Sequence, residues 1–89
     1  MLERLGAALA AVGRLHEAIR RYRRLVSLEP EREAWHRALM DCYAATGERA
    51  QALRQYHACR TVLRREQGVA PGPETVALYR EILGAETEA

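Results

Sequence analysis

Cys42, Cys59, His16, His36 and His57 are the side chains best suited to bind a metal or attack a substrate. Zinc sites draw ligands from tight local pairs, such as two cysteines two residues apart or two histidines a helical turn apart. No such pair occurs here. A cysteine nucleophile needs a neighbouring base and a cleft, and no Cys–His arrangement in the chain suggests either. Cys42 and Cys59 fall in apolar helical stripes, where cysteine acts as a small hydrophobe. The carboxylates are scattered along polar faces and form no convergent pair for acid–base work. The expectation is a protein without catalytic residues, metal or cofactor.

Two groupings suit recognition instead. Tyr22, Trp35 and Tyr56 are stacking residues, but their spacing puts each on the apolar side of a helix, so they read as core. Arg20, Arg23 and Arg24 form a candidate basic strip able to meet phosphates or carboxylates. A charged arc opposite an apolar one is also what any surface helix shows, and a solvated face is the plainer reading.

The bulk properties fit a small domain. The chain has 89 residues, 48% of them hydrophobic, and a formal net charge of +2. All fourteen cationic side chains are Arg, and Phe is absent. So weak a net charge neither requires nor excludes nucleic acid. No apolar run reaches membrane-spanning length and no leader pattern opens the chain, so the expectation is a cytoplasmic protein with reduced thiols and no membrane partner.

Apolar periodicity predicts five helices over residues 2–12, 14–28, 31–45, 48–66 and 74–83, with no strand. Gly13 reads as a left-handed helix end, Gly47 and Gly68 also terminate helices, and Pro30 reads as a stop. Glu31, Glu33 and Glu74 fall in first helical turns, where the dipole favours negative charge. Val69 to Pro73 reads as a connector. The expected organisation is a helical domain over 1–83 with a flexible tail over 84–89.

The chain also repeats itself. Gly13 and Gly47, Ala18 and Ala52, Tyr22 and Tyr56, Leu5 and Leu39, and Leu9 and Tyr43 all stand 34 residues apart. A period of this length on paired helices marks a helix–turn–helix repeat of the tetratricopeptide kind. The small residue admits the neighbouring helix, and the tyrosine four places on fills the space beside it. The predicted fold is therefore all-α, built of antiparallel helix hairpins with a capping fifth helix.

The run ALRQYHACRTVLRREQGVAPGPETVALYREIL, Ala52 to Leu83, closely resembles the bacterial transcriptional activator domain (BTAD). The features that carry the likeness are Arg-Arg-Glu-Gln-Gly at a helix end, then Val-Ala-Pro, Pro-Glu-Thr and Leu-Tyr-Arg-Glu-Ile-Leu. GRLHEAIRRYRRLVSLEPEREAWHRALMDCYAATG, Gly13 to Gly47, fits the same family. The resemblance implies a tetratricopeptide-like module following a winged-helix DNA-binding domain, as in SARP-type regulators. Its implied partners are other domains of the same regulator, a second copy, or the transcription machinery, with DNA reached only through a separate DNA-binding domain. The chain has no DNA-binding domain and lacks helices the family carries before Leu2, so the expectation is a fragment or a short stand-alone relative. The alternative is a general tetratricopeptide scaffold holding a partner peptide or helix outside transcription.

In stacked hairpins the first helix of each pair lines the concave face. That places Glu3, Ala7 and Ala10 on one helix, and Ala34, Arg37, Asp41 and Ala44 on the next, as the expected partner-binding surface. Arg37 and Asp41, one turn apart, are placed to pair with each other or to orient a partner.

Overall fold

The computed structural model describes the backbone of residues 2–88 and the side chains of residues 13–84. Four helices follow in order: α1 (Leu2–Leu28), α2 (Glu33–Ala45), α3 (Arg49–Gln67) and α4 (Pro73–Glu88). No strand occurs among the described residues. The all-α, tetratricopeptide-like class is as expected, but the helix count is four rather than five.

The discrepancy lies at Gly13. The expected hairpin between residues 2–12 and 14–28 is absent, because α1 runs unbroken through the glycine. Gly47 and Gly68 take left-handed conformations, at φ 80° and 65°, and Gly13 does not. Glycine inside a helix costs only about 0.5–1 kcal/mol relative to alanine. Flanking Ala and Leu residues favour helix, and no proline interrupts them. A glycine alone therefore does not stop this helix.

The other ends follow ordinary chemistry. Pro30 lacks an N–H and forces the exit from α1. α2 starts at Glu33, two residues later than expected, leaving Glu31 in the preceding turn. Beyond α2, the Thr46 N–H donates to the Cys42 carbonyl and the Glu48 N–H to the Tyr43 carbonyl. Gly68 closes α3, its N–H donating to the Arg64 carbonyl. Pro73 occupies the first position of α4, where its fixed φ suits a helix start. α4 continues to Glu88, past the expected end at Leu83. The expected tail thus falls on helical backbone, and its side chains beyond Gly84 lie outside the described residues.

α2 is the central helix. It packs on α1 to one side and on α3 to the other, and α4 lies against both α2 and α3. The core joins Ile19 of α1, Leu39, Met40, Cys42 and Tyr43 of α2, Ala52 and Tyr56 of α3, and Ile82 of α4. Tyr79 of α4 stacks on Tyr56 with ring centres 4.0 Å apart, and the edge of His57 meets both rings. The short connections between α1, α2 and α3 make neighbours antiparallel. The start of α4 sits beside the start of α2, so those two run parallel.

Candidate interaction surface

The surface is set by how α4 is fastened. Glu33, in the first turn of α2, reaches across to the start of α4. Its Oε1 accepts from the Gly72 N–H at 2.8 Å and from the Thr75 hydroxyl at 2.7 Å. The carboxylate thereby caps a helix start on another element, where the dipole favours negative charge. Thr75 is completely enclosed. Its hydroxyl also accepts from Nη1 of Arg37 at 2.9 Å, and Nη2 of Arg37 stands 3.5 Å from Glu74. Further along α4, Nε and Nη2 of Arg49 both donate to the Ile82 carbonyl at 3.0 Å. Charged groups of α2 and α3 thus hold the start of α4 and a point further along it.

Between these fastenings, α2 and α4 leave a pocket of about 270 Å³ lined by Asp41, Ala44, Arg49, Leu78, Glu81 and Ile82. Ala44, Leu78 and Ile82 supply its apolar part. Asp41 and Glu81 are both exposed and bring two carboxylates to it. Partial burial, followed by the charge of Glu81, raises the Asp41 carboxyl above its usual range, while Arg37 pulls the other way.

Of the expected concave residues, Asp41 and Ala44 meet in this pocket. Ala34 is exposed near the start of α2 and does not line it. Of the two roles open to Arg37, the ion pair with Asp41 does not form: Arg37 turns to Glu74 and Thr75, because α4 offers it an acceptor and a carboxylate. Glu3, Ala7 and Ala10 lie in α1, and their side chains fall outside the described residues. With α1 continuous, residues 2–12 are not the first helix of a hairpin, which removes the geometric ground for pairing them with α2.

The candidate basic strip stands on α1. Arg20, Arg23 and Arg24 are all exposed, and none forms an ion pair among the described residues. Their neighbour Arg21 takes Glu17 at 3.4 Å.

The histidines and cysteines are dispersed. His16 and His57 are exposed, whereas His36 is buried. The His36 ring joins two segments: Nε2 lies 2.7 Å from the Pro30 carbonyl and Nδ1 lies 2.7 Å from the Gln55 amide. Assigning the proton to Nε2 satisfies both contacts, with Gln55 donating to Nδ1. Cys42 and Cys59 are free and buried. Burial, then Asp41, raises the Cys42 thiol; burial, then Glu33, pushes Cys59 up to about 11, partly offset by Arg37. Such thiols are poor nucleophiles near neutral pH.

Sequence reasoning missed Arg49 and Glu81 as lining residues and the Glu33–Thr75–Arg37 connection. Pro73 as a helix start was a usable signal for where α4 begins. Nothing local to Glu33 or Arg37 announces that each will bond across some forty positions.

Comparison with known proteins gives this arrangement a context. The chain is 36% identical over 80 residues to the "Transcriptional regulatory protein MoaR1" of Mycobacterium bovis (strain BCG / Pasteur 1173P2). It matches the protein of the same name from Mycobacterium tuberculosis (strain ATCC 25618 / H37Rv) to the same degree. These alignments cover 90% of this chain but only 26% of each relative, so the chain spans about a quarter of their length. No solved structure matches it. The family described as "Bacterial transcriptional activator domain" matches residues 1–83, the span holding both the Gly13–Gly47 and the Ala52–Leu83 runs, and the chain belongs to that family.

Proposed function

We propose that the chain is a protein-interaction module of a bacterial transcription regulator, and that the pocket between α2 and α4 is its working surface. The observation that carries this is the pocket itself, an apolar floor flanked by carboxylates, between helices tied together at Glu33–Gly72 and Arg49–Ile82. It lies on a chain whose family and relatives concern transcription. The module acts by contact: it binds other parts of the regulator, a second copy or the transcription machinery, and transmits activation without chemistry of its own. DNA is reached through a separate domain. None of the described helices is long and apolar enough to cross a membrane, which accords with work in the cytoplasm.

The test is Ala44→Trp, introduced into the gene as it is encoded. Ala44 is exposed at the pocket, so the larger ring obstructs docking without disturbing the core. Transcript profiles of this strain are compared with those of the parent and of a deletion strain, with protein level monitored. The expected result is a Trp variant at normal abundance whose transcripts resemble the deletion. Transcripts matching the parent remove the pocket from the function. A deletion that alters no transcripts removes the transcriptional role.

A further inference from the structure

The pocket lies beside α4 and the basic strip on α1, and their chemistry matches. Asp41 and Glu81 hold like charge around a floor of Ala44, Leu78 and Ile82. Arg37, the cation nearest in sequence to Asp41, is engaged with Glu74 and Thr75. Arg49 forms part of the wall with its guanidinium directed at the Ile82 and Leu83 carbonyls. The site therefore favours a group that joins an aliphatic stem to a planar cation. Arginine fits that description: its stem covers apolar surface while its fork binds carboxylates.

The same chain presents such arginines. Arg20, Arg23 and Arg24 lie exposed within little more than one turn of α1, without an ion pair among the described residues. We infer that the α2–α4 groove of one molecule receives the Arg20–Arg23–Arg24 strip of a second copy. This rests on the groove being a docking surface, as proposed above. Groove and strip are different surfaces, so the contact closes as a two-fold dimer where both pairs form between the same two molecules and otherwise extends from one neighbour to the next. Attraction between exposed charges makes the contact sensitive to salt.

Sedimentation of the full 89-residue chain tests this at about 0.01 M and about 1 M salt, where the screening length falls from roughly 30 to 3 Å. Two charge-reversed proteins accompany the parent. One carries Asp41→Arg and Glu81→Arg; the other carries Arg20→Glu, Arg23→Glu and Arg24→Glu. The parent is expected to associate at low salt and dissociate at high salt, and each reversed protein alone to remain a monomer. Mixed together, they restore one native groove–strip contact and set the reversed groove against the reversed strip with opposite charge, so the mixture should associate where neither protein does alone. A parent that stays monomeric at low salt overturns the inference, as does a mixture that stays monomeric. Reversed proteins that assemble as the parent does also overturn it.

All five positions are exposed, so the helical circular dichroism signal should persist. If either reversed protein loses it, the neutral versions Asp41→Asn with Glu81→Gln, and Arg→Gln at the three strip positions, take its place. They must weaken association by on the order of tenfold. A monomeric parent combined with disrupted transcription in Ala44→Trp leaves the groove as a docking surface for another protein and removes only the second copy as its occupant.

Discussion

Ala18 and Ala52 hold the same place in the 34-residue repeat, and so do Tyr22 and Tyr56. Their surroundings differ. Ala52 is fully enclosed and Tyr56 is 8% exposed, whereas Ala18 and Tyr22 are only partly buried. The cause is the next helix along. α3 has α2 on one side and α4 on the other, and Tyr79 of α4 covers the Tyr56 ring. α1 packs on α2 alone among the described helices, and Tyr22, at the edge of the core, faces the tilted Trp35 ring, with centres 6.0 Å apart. A repeat motif thus encodes the capacity to be buried, and the neighbouring unit decides whether that capacity is used.

The sharpest way to break this comparison is to truncate both tyrosines. Tyr56→Ala should cost roughly 3–5 kcal/mol, since it opens a space under Tyr79 that rigid helices cannot fill. Tyr22→Ala should cost roughly half that, because water already reaches its ring. Urea unfolding of the two variants against the parent checks the ranking. Equal losses, or a larger loss at Tyr22, would show that α1 is covered as well as α3 is.

The same dependence on neighbours explains what was legible beforehand. The 3.6-residue pattern gave α2 and α3 to within two residues of their ends, together with the enclosed Leu39, Ala52, Tyr56, Cys59 and Leu63. These features belong to single helices. The burial of Met40 and His36 was not foreseen, because each depends on which sides of α2 receive α1 and α3. The pocket was half legible: Asp41 and Ala44 follow from the outward side of α2, whereas Arg49 and Glu81 enter only once α4 is laid down. The bonds of Arg37 to Glu74 and Thr75 are not legible beforehand, since an i, i+4 neighbour is visible in sequence and a residue from α4 is not.

A second test uses another equivalent pair, Leu25 and Cys59. Leu25 is partly buried, and Cys59 is fully enclosed. Enclosure and the nearby Glu33 charge keep the Cys59 proton on until about pH 11, whereas an unfolded thiol releases it near pH 8.5. Between those values the unfolded chain binds fewer protons than the folded one, so stability falls as pH rises. The contribution is fully present below the lower value and declines by about 1.4 kcal/mol per pH unit across the window. Unfolding free energies measured from pH 8 to 11 should show a steeper decline in the parent than in Cys59→Ala. Parallel curves would mean that the thiolate is tolerated at that position.

The smallest effect comes from the pair that misled the sequence reading, Gly13 and Gly47. They too are 34 residues apart, yet Gly47 ends α2 at φ 80° and Gly13 lies within α1. An added methyl group meets nothing within 4 Å at either position, so crowding does not separate them. Backbone conformation does. At Gly47 an alanine would be forced into the left-handed region, at a cost of about 1–2 kcal/mol. At Gly13 an alanine would occupy an ordinary helical conformation and restrict the unfolded chain, for a gain of about 0.5–1 kcal/mol. The two substitutions should therefore shift the thermal midpoint in opposite directions. If Gly13→Ala lowers it as Gly47→Ala does, then α1 breaks at Gly13 in solution, the chain regains its fifth helix, and the expected hairpin between residues 2–12 and 14–28 returns with it.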